Sequence, residues 1–153
     1  EKAAKMSEEK LVPLYADLIA YVREVLGDKD KDSYEFCGAL WVQGEADGNV
    51  SKCGPEPAEA YGANVQNLIA HLRGDMGASD LPFVMMQVGA PKVTEGMEAA
   101  AKAMKNVVLV PQSLDPAAPN FLPKHAVGHY NYEGQKRIGS LMAEAFLKLL
   151  ARR

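Results

Sequence analysis

An α/β fold, with a parallel sheet covered by helices on both faces, is what this chain predicts, and three observations predict it. Helical and strand-like segments alternate along the sequence, an order that builds right-handed crossovers on a parallel sheet. The strand-like segments are continuous apolar runs, the pattern of strands covered on both sides. Polar clusters follow the first and third of these runs, at the carboxyl ends where open α/β sheets collect ligands and chemistry.

Residues 7–26 form the first expected helix, with Leu11, Leu14, Tyr15, Leu18, Val22, Val25 and Leu26 at three- and four-residue spacing. Ser7 is a candidate cap, although Pro13 lacks the amide hydrogen a helix interior uses, so the regular part is expected to start near it. Gly27 ends the helix, and the charged run at 28–32 reads as a solvated loop. Next comes Phe36-Cys37-Gly38-Ala39-Leu40-Trp41-Val42, expected as a strand buried on both faces, with Cys37 as a small core residue. It breaks into Gln43, Glu45, Asp47 and Asn49, with Gly44 and Gly48 between them to let the backbone turn.

A second helix is expected over 57–73, with Tyr61, Val65, Leu68, Ile69 and Leu72 as its apolar stripe and His71 beside it as a surface or half-buried residue. Residues 81–88, LPFVMMQV, are a second buried strand in which Met85 and Met86 fill core. A short alanine-rich helix over 95–105 leads to a third strand over 106–110, rich in β-branched residues. Residues 111–128 carry four prolines and no apolar period, a long loop of the kind that tends to be functional. The last helix spans 131–151, with Asn131 as its cap and Ile138, Leu141, Met142, Ala145, Phe146 and Leu149 facing inward.

Composition narrows the function. The 153 residues fit one domain, and a net charge of −3 with scattered Lys and Arg gives no nucleic-acid surface. No apolar run approaches the roughly 18 residues of a membrane span. Two cysteines, Cys37 and Cys53, make neither a disulfide framework nor a metal site, and they assign no compartment. The first residue is Glu1 rather than Met, so the chain is expected to be processed or trimmed.

Chemistry is expected where the polar clusters sit. His129 stands at the start of the last helix, placed to reach across the top of the sheet. If Glu45 or another carboxylate accepts its ring N–H, it becomes an oriented general base. A capping or packing role suits it equally.

Together, Trp41-Val42-Gln43-Gly44-Glu45-Ala46-Asp47, the run Leu81 to Gln87, and Gly128-His129-Tyr130-Asn131-Tyr132-Glu133-Gly134-Gln135 with Ile138-Gly139 resemble the sialate O-acetylesterase and acetylxylan esterase branch of the SGNH hydrolases. The resemblance runs from Pro13 onward. It implies a flavodoxin-like three-layer sandwich, here lacking its N-terminal strands, with residues 1–153 as the C-terminal portion of a single domain. It also implies hydrolysis of acetyl esters on carbohydrates by a serine nucleophile and a histidine base, with no cofactor and no metal. His129 matches the family's catalytic histidine, and Gln43 and Glu45 match its Gln-Gly-Glu block, whose acid orients the histidine in some members. Asp47 and Asn49 are candidates for substrate or oxyanion binding, as is the Gln43 amide.

Two departures stand against this pattern. The family's Asp three residues before the histidine is Ala126 here, leaving Glu45 to take its role. None of Ser7, Ser33, Ser51, Ser79, Ser113 and Ser140 stands in the family's Gly-Gln-Ser-Asn-like turn, so the nucleophile is expected outside this chain. A segment of the same protein, or a partner, is expected to pair with the strand at 36–42, whose edge would otherwise be open. The alternative from another class is an inactive, esterase-like structural subunit of a larger assembly. A carbohydrate-binding module is a third reading, resting on Trp41, Tyr130 and Tyr132, which more readily pack.

Overall fold

The computed structural model describes residues 2–27, 29–30, 33–126 and 128–152, with side chains from residue 14. The chain divides into two units, Glu1–Phe36 and Cys37–Arg153.

The first unit is built on α1, Lys2–Leu26. This helix starts earlier than expected and carries Pro13 in its interior rather than at its beginning. It ends where Gly27 takes φ +40° and donates its amide to Arg23 O at 2.7 Å. Leu14, Leu18 and Val25, expected to face inward, are exposed. The Ser7 side chain proposed as a cap, the Leu11 side chain, and Asp28, Lys31 and Asp32 of the charged run lie outside the described residues.

The second unit holds the sheet. Its order is β1 (Ala39–Trp41), α2 (Val50–Cys53), α3 (Glu56–Asp75), β2 (Phe83–Met86), α4 (Pro91–Ala103), β3 (Val107–Val110) and α5 (Tyr132–Leu150). The strands are parallel, ordered β1-β2-β3, with Ala39 opposite Phe83 and Phe83 opposite Val107. This is the expected α/β class, a flavodoxin-like layering of helices on a parallel sheet. Strand β2 explains why: Phe83, Val84, Met85 and Met86 are all buried, which a strand achieves only between two covered faces. Met85 and Met86 are core, as their setting in an apolar run implies.

Two expectations about the opening strand fail. It is three residues long rather than seven, and it is not buried on both faces, since Leu40 is 57% and Val42 42% exposed. Cys37 is exposed rather than a core residue. The cause is position. Strand β1 is an outer strand, so only its β2 side carries a ladder. Helix α4 begins at Pro91, four residues ahead of the expected start, because proline suits the first helical turn, where its missing N–H costs nothing.

Helices α3 and α4 approach closely because Gly62 and Gly96 face each other. A Cβ on Gly96 would lie 2.7 Å from the Gly62 nitrogen. At the amino ends of the strands, Arg73 donates to Leu81 O at 2.8 Å and to Lys105 O at 2.7 Å, tying together the segments that feed β2 and β3. Helix α5 packs on β2 and β3, burying Ile138, Met142 and Leu149. Among the described residues, no helix is long and apolar enough to cross a membrane.

Candidate active site

All three strands point their carboxyl ends at one rim, and each ends close to a glutamine: Gln43 after β1, Gln87 after β2, Gln112 after β3. Gln87 donates its backbone amide to Val110 O at 2.9 Å, and its side-chain oxygen accepts from the Gln112 backbone amide at 2.9 Å. The Gln112 side-chain oxygen accepts from the Tyr130 hydroxyl at 3.4 Å, a long bond. Polar groups therefore run along the rim from β2 through β3 to the residue beside His129.

The turn after β1 is shaped by glycine. Gly44 adopts φ +141°, and a Cβ there would lie 2.7 Å from Val93 Cγ1, so only glycine lets the chain settle onto α4. Gly48 N and Gly44 O then close the turn at 3.2 Å. Within it, Gln43 donates its side-chain amide to the Asp47 carboxylate. Asn49 stands at the start of α2, where its side chain accepts from the Ser51 hydroxyl at 2.8 Å. Glu45 is exposed.

Beneath this turn lies Tyr61 of α3, 4% exposed. Its hydroxyl donates to Gln43 O at 2.7 Å and accepts from the Trp41 indole N–H at 3.1 Å. Burial pushes the Tyr61 hydroxyl up to about 12; the Trp41 bond works against that shift, and the negative charges of Asp47 and Glu45 reinforce it.

His129 lies on a loop cinched at its base. His125 N donates to His129 O at 2.7 Å, Asn131 N to Pro123 O at 3.1 Å, and Lys124 pairs with Tyr130 in an antiparallel bridge. Asn131 caps α5 as its sequence position implies, its side-chain oxygen accepting from Gly134 N at 2.9 Å. The Lys124 ammonium sits 4.7 Å from the centre of the Tyr130 ring. Burial, with the Glu45 charge adding to it, pushes the Tyr130 hydroxyl up to about 12. Glu45 is thus within electrostatic reach of the residue following His129, and the turn after β1 and the loop before α5 converge on one rim. His129 itself is exposed, and among the described residues neither its imidazole nor the Glu45 carboxylate makes a hydrogen bond. Tyr132, expected to pack, is 75% exposed. Among the described residues, no group of three or more His, Cys, Asp or Glu could hold a metal ion.

The family described as carbohydrate esterase, sialic acid-specific acetylesterase, matches residues 3–148, nearly the whole chain. The chain belongs to that carbohydrate esterase family. A probable carbohydrate esterase of Arabidopsis thaliana is 30% identical over 116 residues, a match that covers 74% of this chain and 41% of the plant protein. The X-ray structure of that Arabidopsis protein superposes with a TM-score of 0.66 at 25% identity, covering 88% of this chain and 52% of the other. The chain therefore spans about half the length of the relatives it matches. Tyr61, Gln87 and Gln112 were not singled out from sequence as parts of a candidate site, and Tyr130 was named only under the carbohydrate-binding reading. One signal was available: a glutamine within two residues of the end of every strand.

Proposed function

We propose that this chain carries the histidine-bearing part of a serine ester hydrolase that removes acetyl groups from carbohydrates. The single observation that supports this reading best is the parallel sheet, whose carboxyl ends carry Gln43 after β1 and, through the bond of Tyr130 to Gln112 after β3, the His129 loop. In this reading the nucleophile is a serine in a polypeptide segment outside residues 1–153. That segment also supplies a strand for the free edge of β1, where Leu40 and Val42 are exposed. Residues 1–153 then form the C-terminal portion of one domain.

The chemistry proceeds by acyl transfer. His129 takes the serine proton as the hydroxyl oxygen attacks the acetyl carbonyl, and the carbonyl electrons move onto oxygen to form a tetrahedral oxyanion. Collapse of that intermediate breaks the bond to the sugar oxygen, which leaves with the proton from His129, and the acetyl group stays on serine. Water, deprotonated by His129, then releases acetate and restores the serine. The Gln43 amide has two N–H groups: one is held by Asp47, and the other serves the oxyanion. Glu45 stabilises the imidazolium in place of the aspartate that Ala126 replaces. Asn49 lines the approach to the rim. No cofactor enters the cycle.

Acetate release from an aryl acetate by the full-length protein tests this. We expect His129→Ala to lower kcat by about 10²- to 10⁴-fold, and equal rates in variant and wild type would remove the catalytic role. A second reading, an inactive structural subunit, is favoured by Ala126 and by the unbonded His129 imidazole; wild-type release no faster than the buffer background would establish it.

A further inference from the structure

We propose that Tyr61 is a positioning residue for the esterase rim, acting through Gln43; this rests on the reading of Gln43 as the oxyanion donor. The indole N–H of Trp41 can only donate, so the Tyr61 oxygen must accept from it, and the phenolic hydrogen is left to Gln43 O. The direction of the relay is thereby fixed. It runs from β1, through a side chain rooted in α3, back to the residue whose side-chain amide Asp47 holds. The Gln43 residue is consequently gripped at both ends, its carbonyl by Tyr61 and its amide by Asp47.

The surroundings leave that grip little slack. Gly44, next in the chain, is buried, with Val93 and Met97 of α4 so close that a Cβ would come within 2.7 and 3.1 Å of them. From the β2 side, Gly89 at φ +86° backs onto Gly44 O, where a Cβ would lie 2.7 Å away. Tyr61 is the one polar side chain bonded to the main chain of this peptide among the described residues. A rim donor contributes to an oxyanion only when it is aimed before charge develops, and fixing its backbone is how a fold does that. Trp41 accordingly serves as the donor that directs the tyrosine rather than as a sugar platform.

The experiment is a cycle in the full-length protein: wild type, Tyr61→Phe, Gln43→Ala and the double variant, with kcat and KM for an aryl acetate and a thermal melt for each. Tyr61→Phe keeps the ring and removes the bond. We expect kcat to fall at least 10-fold with KM within 2-fold, and the loss to shrink to under 2-fold when Gln43 is already Ala. A wild-type kcat in Tyr61→Phe, or an equal loss in both backgrounds, overturns the proposal. A wild type that releases no acetate defeats the esterase reading by itself, and positioning is then read from hydrogen exchange of the Gln43 side-chain amide by NMR. At least 10-fold faster exchange in Tyr61→Phe supports it; unchanged exchange overturns it. Should Tyr61→Phe not fold, Trp41→Phe, which removes the N–H directing the hydroxyl, gives the same readouts and is held to the same two outcomes.

Discussion

Two tyrosines of the rim hold their protons more tightly than usual. Tyr61 and Tyr130 are both pushed up to about 12, chiefly by burial and with Glu45 adding its charge to each. The raised value means that the folded state keeps its phenolic proton where the unfolded chain has lost it. Stability is therefore unaffected by these groups below pH 10, the ordinary tyrosine value, and declines as pH rises from 10 to about 12. Alkaline spectrophotometric titration should show late-ionising tyrosines, with one late step missing in Tyr61→Phe and one in Tyr130→Phe. Ordinary titration of every tyrosine would contradict the burial of these hydroxyls. Neither role was legible in sequence: Tyr61 read as one more apolar stripe position. Its hydroxyl acquires meaning only when α3 is laid under the turn after β1. Gln43, Glu45, Asp47 and His129, by contrast, stand out as candidates in sequence because each sits where a strand or a long loop ends.

Among the elements, the α3–α4 pair is the most exacting. Gly62 and Gly96 bring the two backbones together, so the side chains around them cannot absorb an added methyl group. In an ordinary exposed helix, Gly→Ala stabilises by about 1 kcal/mol. Here the new Cβ would meet the Gly62 nitrogen at 2.7 Å, and backbone cannot swing aside as a side chain would. Gly96→Ala should therefore destabilise by about 1–3 kcal/mol in urea unfolding, and a gain in stability would show that the helices separate freely. Strand β3 emerged from sequence close to its bounds, Val107–Val110 against 106–110, whereas the eight residues expected at 81–88 shorten to Phe83–Met86 in β2. Strand β1 shortens likewise: apolarity marked seven residues, but hydrogen bonding holds only those opposite β2, Ala39–Trp41. Helix α4 was misplaced at its start because Pro91 reads as a breaker until it is recognised as a first-turn residue. The short α2 has no periodicity to betray it.

For the whole molecule, the sheet is asymmetric in its exposure. Strand β2 is fully buried, whereas Leu40 of β1 and Val42 just beyond it are exposed, and among the described residues one side of the β1 backbone carries no ladder. Hydrogen exchange should follow this order in the isolated 153-residue chain, slowest at Phe83–Met86 and faster along Ala39–Trp41, where Ala39 N donates to Pro82 O, with β1 becoming slow in the full-length protein. Full protection of β1 in an isolated, monomeric chain would contradict the pairing proposed for its edge. The overall α/β layering could be read from the order of helices and strands alone, because parallel strands demand crossovers and crossovers demand helices. The outer place of β1 could not, since the apolar run at 36–42 reads alike for a central and an outer strand. The outer edge of β1 is bare among the described residues. Produced by itself, this polypeptide would offer copies of itself a ready template for intermolecular pairing, so its solubility should worsen with concentration and recover when a peptide able to pair along Ala39–Trp41 is supplied.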